Sequence, residues 1–290
     1  MGPLSATSYI ANCGLIISVG GNTLMNFGAY RAGINTYQAA NYHSFDHHQV
    51  TLALVPDDVL PPLAESIEEA ELLSFRDERL LQMTHMAAQE ALSHYRGEPV
   101  PLILAGPENY PGLVNQLPAN FLSALKTQID LPILYSASRV IGTGRTGVLE
   151  ALRLAQFYLR SGQHDHVLIG GVDSCQHSAW LNFLDSTERL KSASPHRRAD
   201  TFVPGEGAAF LLLTNNPAYA MITNGLRRSG STALGHRGIQ ICQRQTGKRP
   251  FRRYRQRRHD LGRHAQRSRR GLPERPTAGI SRIRTRLGRY

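Results

Sequence analysis

The chain has 290 residues, 41% of them hydrophobic and 19% charged, a globular-class composition long enough for one large domain or two small ones. A formal net charge of +11 would point to a nucleic-acid or membrane-surface partner if it were evenly spread, but residues 226–290 hold 20 Lys+Arg against 2 Asp+Glu, whereas residues 1–225 hold 13 against 20. The three cysteines, Cys13, Cys175 and Cys242, show no paired spacing, which excludes a disulfide framework and a CxxC zinc site.

No basic, apolar and small-residue series marks a secretory signal, and no apolar run approaches the roughly 18 residues of a membrane span. A soluble protein of the reducing cytoplasm is expected.

Short apolar runs alternate with longer amphipathic ones, as in an α/β protein. Leu15 to Val19 reads as a strand that ends at Gly20-Gly21, and Asn22 to Ala32 reads as a helix. Val50 to Val55 follows as a strand and Leu60 to Leu73 as a helix. Ser74-Phe75-Arg76-Asp77 fits a capping box ahead of a helix carrying Leu81, Ala88, Leu92 and Tyr95. Leu102 to Ala105 and Ile133 to Tyr135 are strand-like, with a helical stretch from about Gly112 to Thr127 between them.

Thr146 to Arg160 is apolar around most of its circumference, with Glu150, Arg153 and Arg160 in one polar stripe, so this helix is expected to be buried on most sides. Val167 to Ile169 and Phe210 to Leu213 are continuous apolar runs, the mark of central strands covered on both faces.

From about Gly225 acidic residues nearly vanish and arginines cluster, as in Arg252-Arg253-Tyr254-Arg255. Such a segment buries too little apolar surface to offset its ordering entropy, so a tail over 226–290 without fixed structure is expected. Three origins stay open: translation of a GC-rich gene in a shifted frame, a basic tail that binds nucleic acid, or a poorly ordered natural extension. Salt-sensitive, nonspecific attraction to polyanions follows in each case.

Gly142-Thr143-Gly144-Arg145-Thr146-Gly147 matches G-x-G-x-x-G at a helix start, the template of a dinucleotide site with amides holding a pyrophosphate. Asp165, the acidic residue at the right distance, precedes its strand instead of ending it. The alternative is a glycine turn that lets a helix pack closely on neighbouring backbone. His43, His47 and His48 lack metal-ligand spacing, and neither a metal nor a cofactor is expected.

Gly170-Gly171-Val172-Asp173-Ser174 closes one strand, and Gly205-Glu206-Gly207-Ala208-Ala209 opens another. With Arg189-Leu190 and Asp200-Thr201-Phe202-Val203-Pro204 between them, these motifs resemble the β-ketoacyl-acyl-carrier-protein synthases, with Thr201 at the usual glycine of Asp-Gly-Phe. The resemblance is strong from about Leu131 to Thr214, reaches back to Tyr9, and stops near Gly225. It implies the N-terminal half of a thiolase-like layered α/β/α fold over residues 1–225, and acyl transfer with carbon–carbon bond formation on a carrier-protein thioester.

The resemblance also implies a cysteine at the N-terminus of the helix that follows the glycine turn, where the dipole lowers the thiol pKa and amides form an oxyanion hole. Counting back from Gly170-Gly171 puts Arg145 there, and no cysteine lies between Cys13 and Cys175. Ser138 is the weak substitute, with Ser136, Thr143 and Thr146 nearby, but a hydroxyl needs an adjacent base. The family's histidines belong to its C-terminal half, and Gly-His236-Arg, Arg-His259-Asp and Arg-His264-Ala do not match their contexts.

The expectation is a degenerate or truncated member, catalytically inactive, resembling the chain-length factors of polyketide systems. Its partners would be a second copy or a synthase-like subunit, and an acyl carrier protein. An active synthase whose C-terminal half is lost, and a dinucleotide module on Gly142 to Gly147, are the alternatives.

Overall fold

The computed structural model describes residues 8–69, 73–109, 115–192 and 201–221, all within the first of two compact units, Met1–Cys242. Expectations for residues 226–290, including His236, His259, His264 and Cys242, lie outside the described residues. In chain order the elements are β1 (Tyr9–Ile17), α1 (Thr23–Ala32), β2 (Gln38–His43), β3 (Gln49–Leu52), α2 (Glu65–Glu68), α3 (Phe75–Leu92), β4 (Leu102–Ala105), α4 (Phe121–Gln128), β5 (Arg139–Ile141), α5 (Gly147–Arg160), β6 (His166–Ser174), α6 (Ser178–Ser186) and β7 (Glu206–Thr214).

Five strands form one sheet in the order β1-β7-β6-β4-β5. β4 pairs parallel with both β5 and β6, while β7 runs antiparallel to β6 and β1. The parallel pairs are joined through α4 and α5, the crossover that parallel strands require. β6 and β7 read as unbroken apolar runs because both faces are covered. Leu168, Val172, Phe210 and Leu212 join Leu80, Met83 and Ala87 of α3 on one side. Val167, Ile169 and Leu213 join Ala151, Ala155 and Leu159 of α5 on the other. The result is the expected α/β/α layering.

β2 and β3 form a separate hairpin whose Ala40, Val50 and Leu52 pack against Leu181 and Leu184 of α6.

Helix starts follow local chemistry. The Asn22 side chain accepts from Met25 N at the head of α1. Ser74 caps α3 by accepting from Asp77 N at 3.2 Å and donating its hydroxyl to Asp77 Oδ2 at 2.6 Å, so the reciprocal pair closes between side chains.

Four expectations are corrected. Among the described residues the helix placed over Leu60–Leu73 is only the single turn α2, because each of Pro61 and Pro62 holds the residue before it in extended backbone, residues 70–72 lying outside the described part. The helix from Gly112 is formed only from Phe121, after Pro118, residues 110–114 lying outside the described part. Ile133 makes a lone bridge to Val100 before a 3₁₀ turn at Tyr135–Ala137, and the strand is β5. α5 is covered on one side only, with Leu149 67% and Phe157 59% exposed.

Gly14 fixes how closely α3 lies on β1, since a Cβ there would stand 1.9 Å from Ala87 O, a backbone atom that cannot swing away. Gly28, mid-helix in α1, has nothing within 4 Å. Gly14→Ala should therefore destabilise the protein by about 1–3 kcal/mol or more, whereas Gly28→Ala should stabilise it by roughly 0.5–1 kcal/mol. Urea denaturation of the two variants checks both signs.

Candidate functional site at the start of the fifth helix and the end of the sixth strand

β5 ends at Ile141, the glycine turn follows, and a 3₁₀ turn over Gly144–Thr146 leads into α5. Gly144 has φ +57°, and a Cβ on it would meet the Glu108 carboxylate oxygen at 2.6 Å. Gly142 lies against the Gln116 side chain, and a Cβ on Gly147 would sit 2.9 Å from Ala105 Cβ. The turn thus brings α5 onto β4, the close approach expected of its glycines. No side chain caps the first turn of α5.

Arg145 projects from this turn with its side chain exposed and makes no ion pair among the described residues. It forms no buried pair among the described residues.

Ser138, the substitute nucleophile, is a structural residue. Its hydroxyl donates to Leu134 O and accepts from Leu102 N, both at 2.9 Å, tying the entry of β5 to β4. The Thr146 hydroxyl donates to Thr143 O at 3.2 Å. Cys175, just beyond β6, donates its N–H to Gly205 O. Burial, reinforced by the negative charge of Asp173, pushes its thiol up to about 11, so it is protonated and unreactive at neutral pH.

The remaining motif residues lie at the same end of the sheet, where β4, β5 and β6 finish and β7 begins. Gly170 lies beneath the Phe210 ring, Gly171 beside Val148, Gly205 against Ala53 O and Gly207 against Ile16 O. Glu206 is buried and receives donors from four segments: Arg79 of α3 through Nε at 3.2 Å and Nη2 at 2.5 Å, Val55 N at 2.9 Å, Ser174 Oγ at 2.7 Å and Gln176 Nε2 at 3.5 Å.

Arg79 also donates to Val55 O at 2.7 Å and to Asp57 Oδ1. Burial pulls this guanidinium down, and the hydrogen bonds and charges of Glu206 and Asp57 overcome that, holding it above its ordinary value. One turn earlier, Arg76 donates to Ser174 O at 2.9 Å and to Asp173 Oδ1 at 3.1 Å. Asp173 itself accepts from Ser174 N at 2.7 Å.

Sequence reading missed both arginines. Arg76, Arg79 and Met83 fall on one face of α3 at helical spacing, and two charges on a core-facing stripe require buried acidic partners. Glu206 and Asp173 were already singled out, without those partners. The cluster is a saturated ion-pair network, which holds strand ends together and leaves no carboxylate oxygen of Glu206 free for acid–base work. Among the described residues no group of three or more His, Cys, Asp or Glu is placed to hold a metal. No helix among them is long and apolar enough to cross a membrane.

The described fold is also that of solved ketosynthases. Among solved structures, the ketosynthase from module 6 of the bacillaene synthase of Bacillus subtilis 168 superposes with a TM-score of 0.52 at 19% identity, over 72% of this chain and 40% of that one. The oxazolomycin ketosynthase domain of Streptomyces albus JA3453 gives 0.51 at 16% identity, over 73% and 44%. The ishigamide ketosynthase/chain length factor gives 0.53 at 18%, over 71% and 58%. The chain thus spans between 40% and 58% of the length of these structures.

Residues 134–218 match the family model described as "Beta-ketoacyl synthase, N-terminal domain". The fold is thus shared with these ketosynthases, and the sequence match to the synthase family is confined to residues 134–218. No curated protein matches the sequence.

Removing one partner of the Arg79–Glu206 pair leaves a buried, uncompensated charge. Arg79→Met should cost about 3–5 kcal/mol, and adding Glu206→Leu should recover a large part of it. Urea titrations of single and double variants read this directly.

Burial lowers His85, His166 and His177 below the ordinary imidazole value of 6.5, with Arg76 adding to the effect at His177. His177 Nδ1 accepts from Trp180 N as the cap of α6, a role that requires the neutral ring. The unfolded chain binds these protons at a higher pH than the folded one. Their contribution is therefore fully present above about pH 6.5 and is lost as pH falls through the lower folded values. Melting temperature should stay level from pH 7.5 to about 6.5 and fall as pH is taken down to 5.

Proposed function

We propose that this chain is a β-ketoacyl synthase-like protein of acyl-carrier-protein-dependent fatty acid or polyketide metabolism that does not itself catalyse condensation. The synthase-like part occupies residues 1–225. It works as a partner subunit alongside a synthase-like chain or a second copy of itself, with an acyl carrier protein as the source of the acyl thioester.

The observation that carries this reading is Arg145 exposed at the head of α5, where the family resemblance calls for a cysteine. A guanidinium has no nucleophilic lone pair at accessible pH, and its positive charge meets the unfavourable end of the helix dipole. The two cysteines among the described residues do not replace it. Burial raises both thiols, and Cys175 stands past the end of β6. The Ser138 hydroxyl is occupied on both its donor and acceptor sides. A dinucleotide at Gly142–Gly147 is disfavoured by the Glu108 carboxylate beside Gly144, where a pyrophosphate would bring more negative charge.

Incubation of the full chain with an acyl-carrier thioester, followed by intact mass spectrometry, should show no covalent acyl adduct. An adduct on the unmodified chain would sink the non-catalytic reading and, mapped to Ser138, would restore that residue as nucleophile. Arg145→Cys should create a thiol at the helix N-terminus that iodoacetamide alkylates ahead of Cys175, without conferring condensation.

A further inference from the structure

At the end of the sheet where β4 and β6 begin, away from the glycine turn, a cleft of about 800 Å³ opens between the segment from α3 to β4, the segment from α5 to β6 and the chain after β7. That volume suits a small molecule. One wall is aromatic: the His166 ring lies 5.0 Å from the Tyr95 ring and 5.2 Å from the Tyr219 ring. Burial holds His166 below the ordinary imidazole value, so this ring adds no positive charge at neutral pH.

Three separate sources make the cleft negative. Glu98 and Asp165 line it with carboxylates that have no hydrogen bond or ion pair among the described residues. The Tyr95 phenol donates to Glu98 O at 2.8 Å and is raised by burial and then by the charges of Asp165 and Glu98, so both carboxylates act on one spot. Two helices end beside the cleft, α3 at Leu92 and α5 at Arg160, and bring the carbonyl ends of their dipoles. The faces of the tyrosine rings are negative as well. Against these stands Arg96, whose guanidinium turns to backbone, donating to Ser93 O at 3.0 Å and Tyr95 O at 2.8 Å.

We propose that this cleft binds an aliphatic amine in its ammonium form, the charged nitrogen taken by Glu98 and Asp165 and the methylenes laid along the Tyr95 and Tyr219 rings. An anion would be repelled by every one of these groups. A metal ion is not matched, because no three His, Cys, Asp or Glu among the described residues are placed to hold one, whereas ring faces beside carboxylates suit a cation that carries its own apolar surface. The cleft lies at the opposite end of β4 and β6 from the glycine turn, so its occupancy does not depend on whether the chain condenses acyl groups.

Isothermal titration calorimetry of the full chain with 1,4-diaminobutane at neutral pH should show one site with a dissociation constant of about 1 mM or tighter. Glu98→Gln and Asp165→Asn should each weaken it about tenfold. Tyr219→Leu, at a residue 58% exposed and therefore harmless to the fold, should weaken it about threefold. Asp58→Asn, the same change of charge at an exposed carboxylate outside the cleft, should leave affinity as it is. Far-UV circular dichroism should be the same for all four variants. No heat of binding with the parent chain overturns the proposal. So does an Asp58→Asn effect as large as those of the cleft variants, which would mean general attraction to an acidic surface, or an affinity untouched by Tyr219→Leu.

Discussion

The described structure turns on one buried carboxylate. Glu206 begins β7, the strand that joins β1 to the rest of the sheet, and its oxygens accept from α3, from the exit of β3 and from the end of β6. A carboxylate in this position would be prohibitively costly alone, because desolvation penalises charge far more than any one contact returns. It is tolerated because five donors converge on it, one set delivered by a forked guanidinium. The strand ends, the loop after β6 and the head of α3 are consequently fixed by a single network. Its geometry explains why the Gly205-Glu206-Gly207 motif sits where it does: the glycines bring the backbone close enough for the acid between them to be enclosed.

This accounts for what could be read in the residues beforehand. β6 and β7 were legible as unbroken apolar runs because each is covered on both faces over most of its length, and α5 was legible because a glycine turn and a serine-glycine stop frame it. β5 was not, since three residues beginning with Arg139 carry no periodicity, and its pairing with β4 is dictated by tertiary structure. The stretch after Leu60 had helical apolar spacing, but two prolines hold the residues before them out of the helical region. Spacing records which face is apolar; it does not record whether the backbone can bond.

The site divides along the same line. The glycines, Asp173 and Glu206 were visible as motifs. The arginines that give the acids their function were hidden among ordinary charged residues of an amphipathic helix, where Asp77 and Glu78 beside them suggest a solvated face. Arg145 was placed by counting along the resemblance, and the structure sets it on an open turn where it touches no reacting group. The scaffold around it, from β5 through the glycine turn into α5, is formed.

The pairing of β1 has a consequence for how the chain is made. The first strand hydrogen-bonds along its length to the last, with Tyr9 opposite Thr214 and Ile17 opposite Gly207. A nascent chain emerging N-terminus first must hold an apolar strand without its partner while some two hundred residues are synthesised, and loop closure over that separation is slow. Gly14 on that strand also awaits α3, so neither neighbour of β1 is local. The β1–β7 pairing thus joins the two ends of the described structure and depends on closure of the longest loop within it.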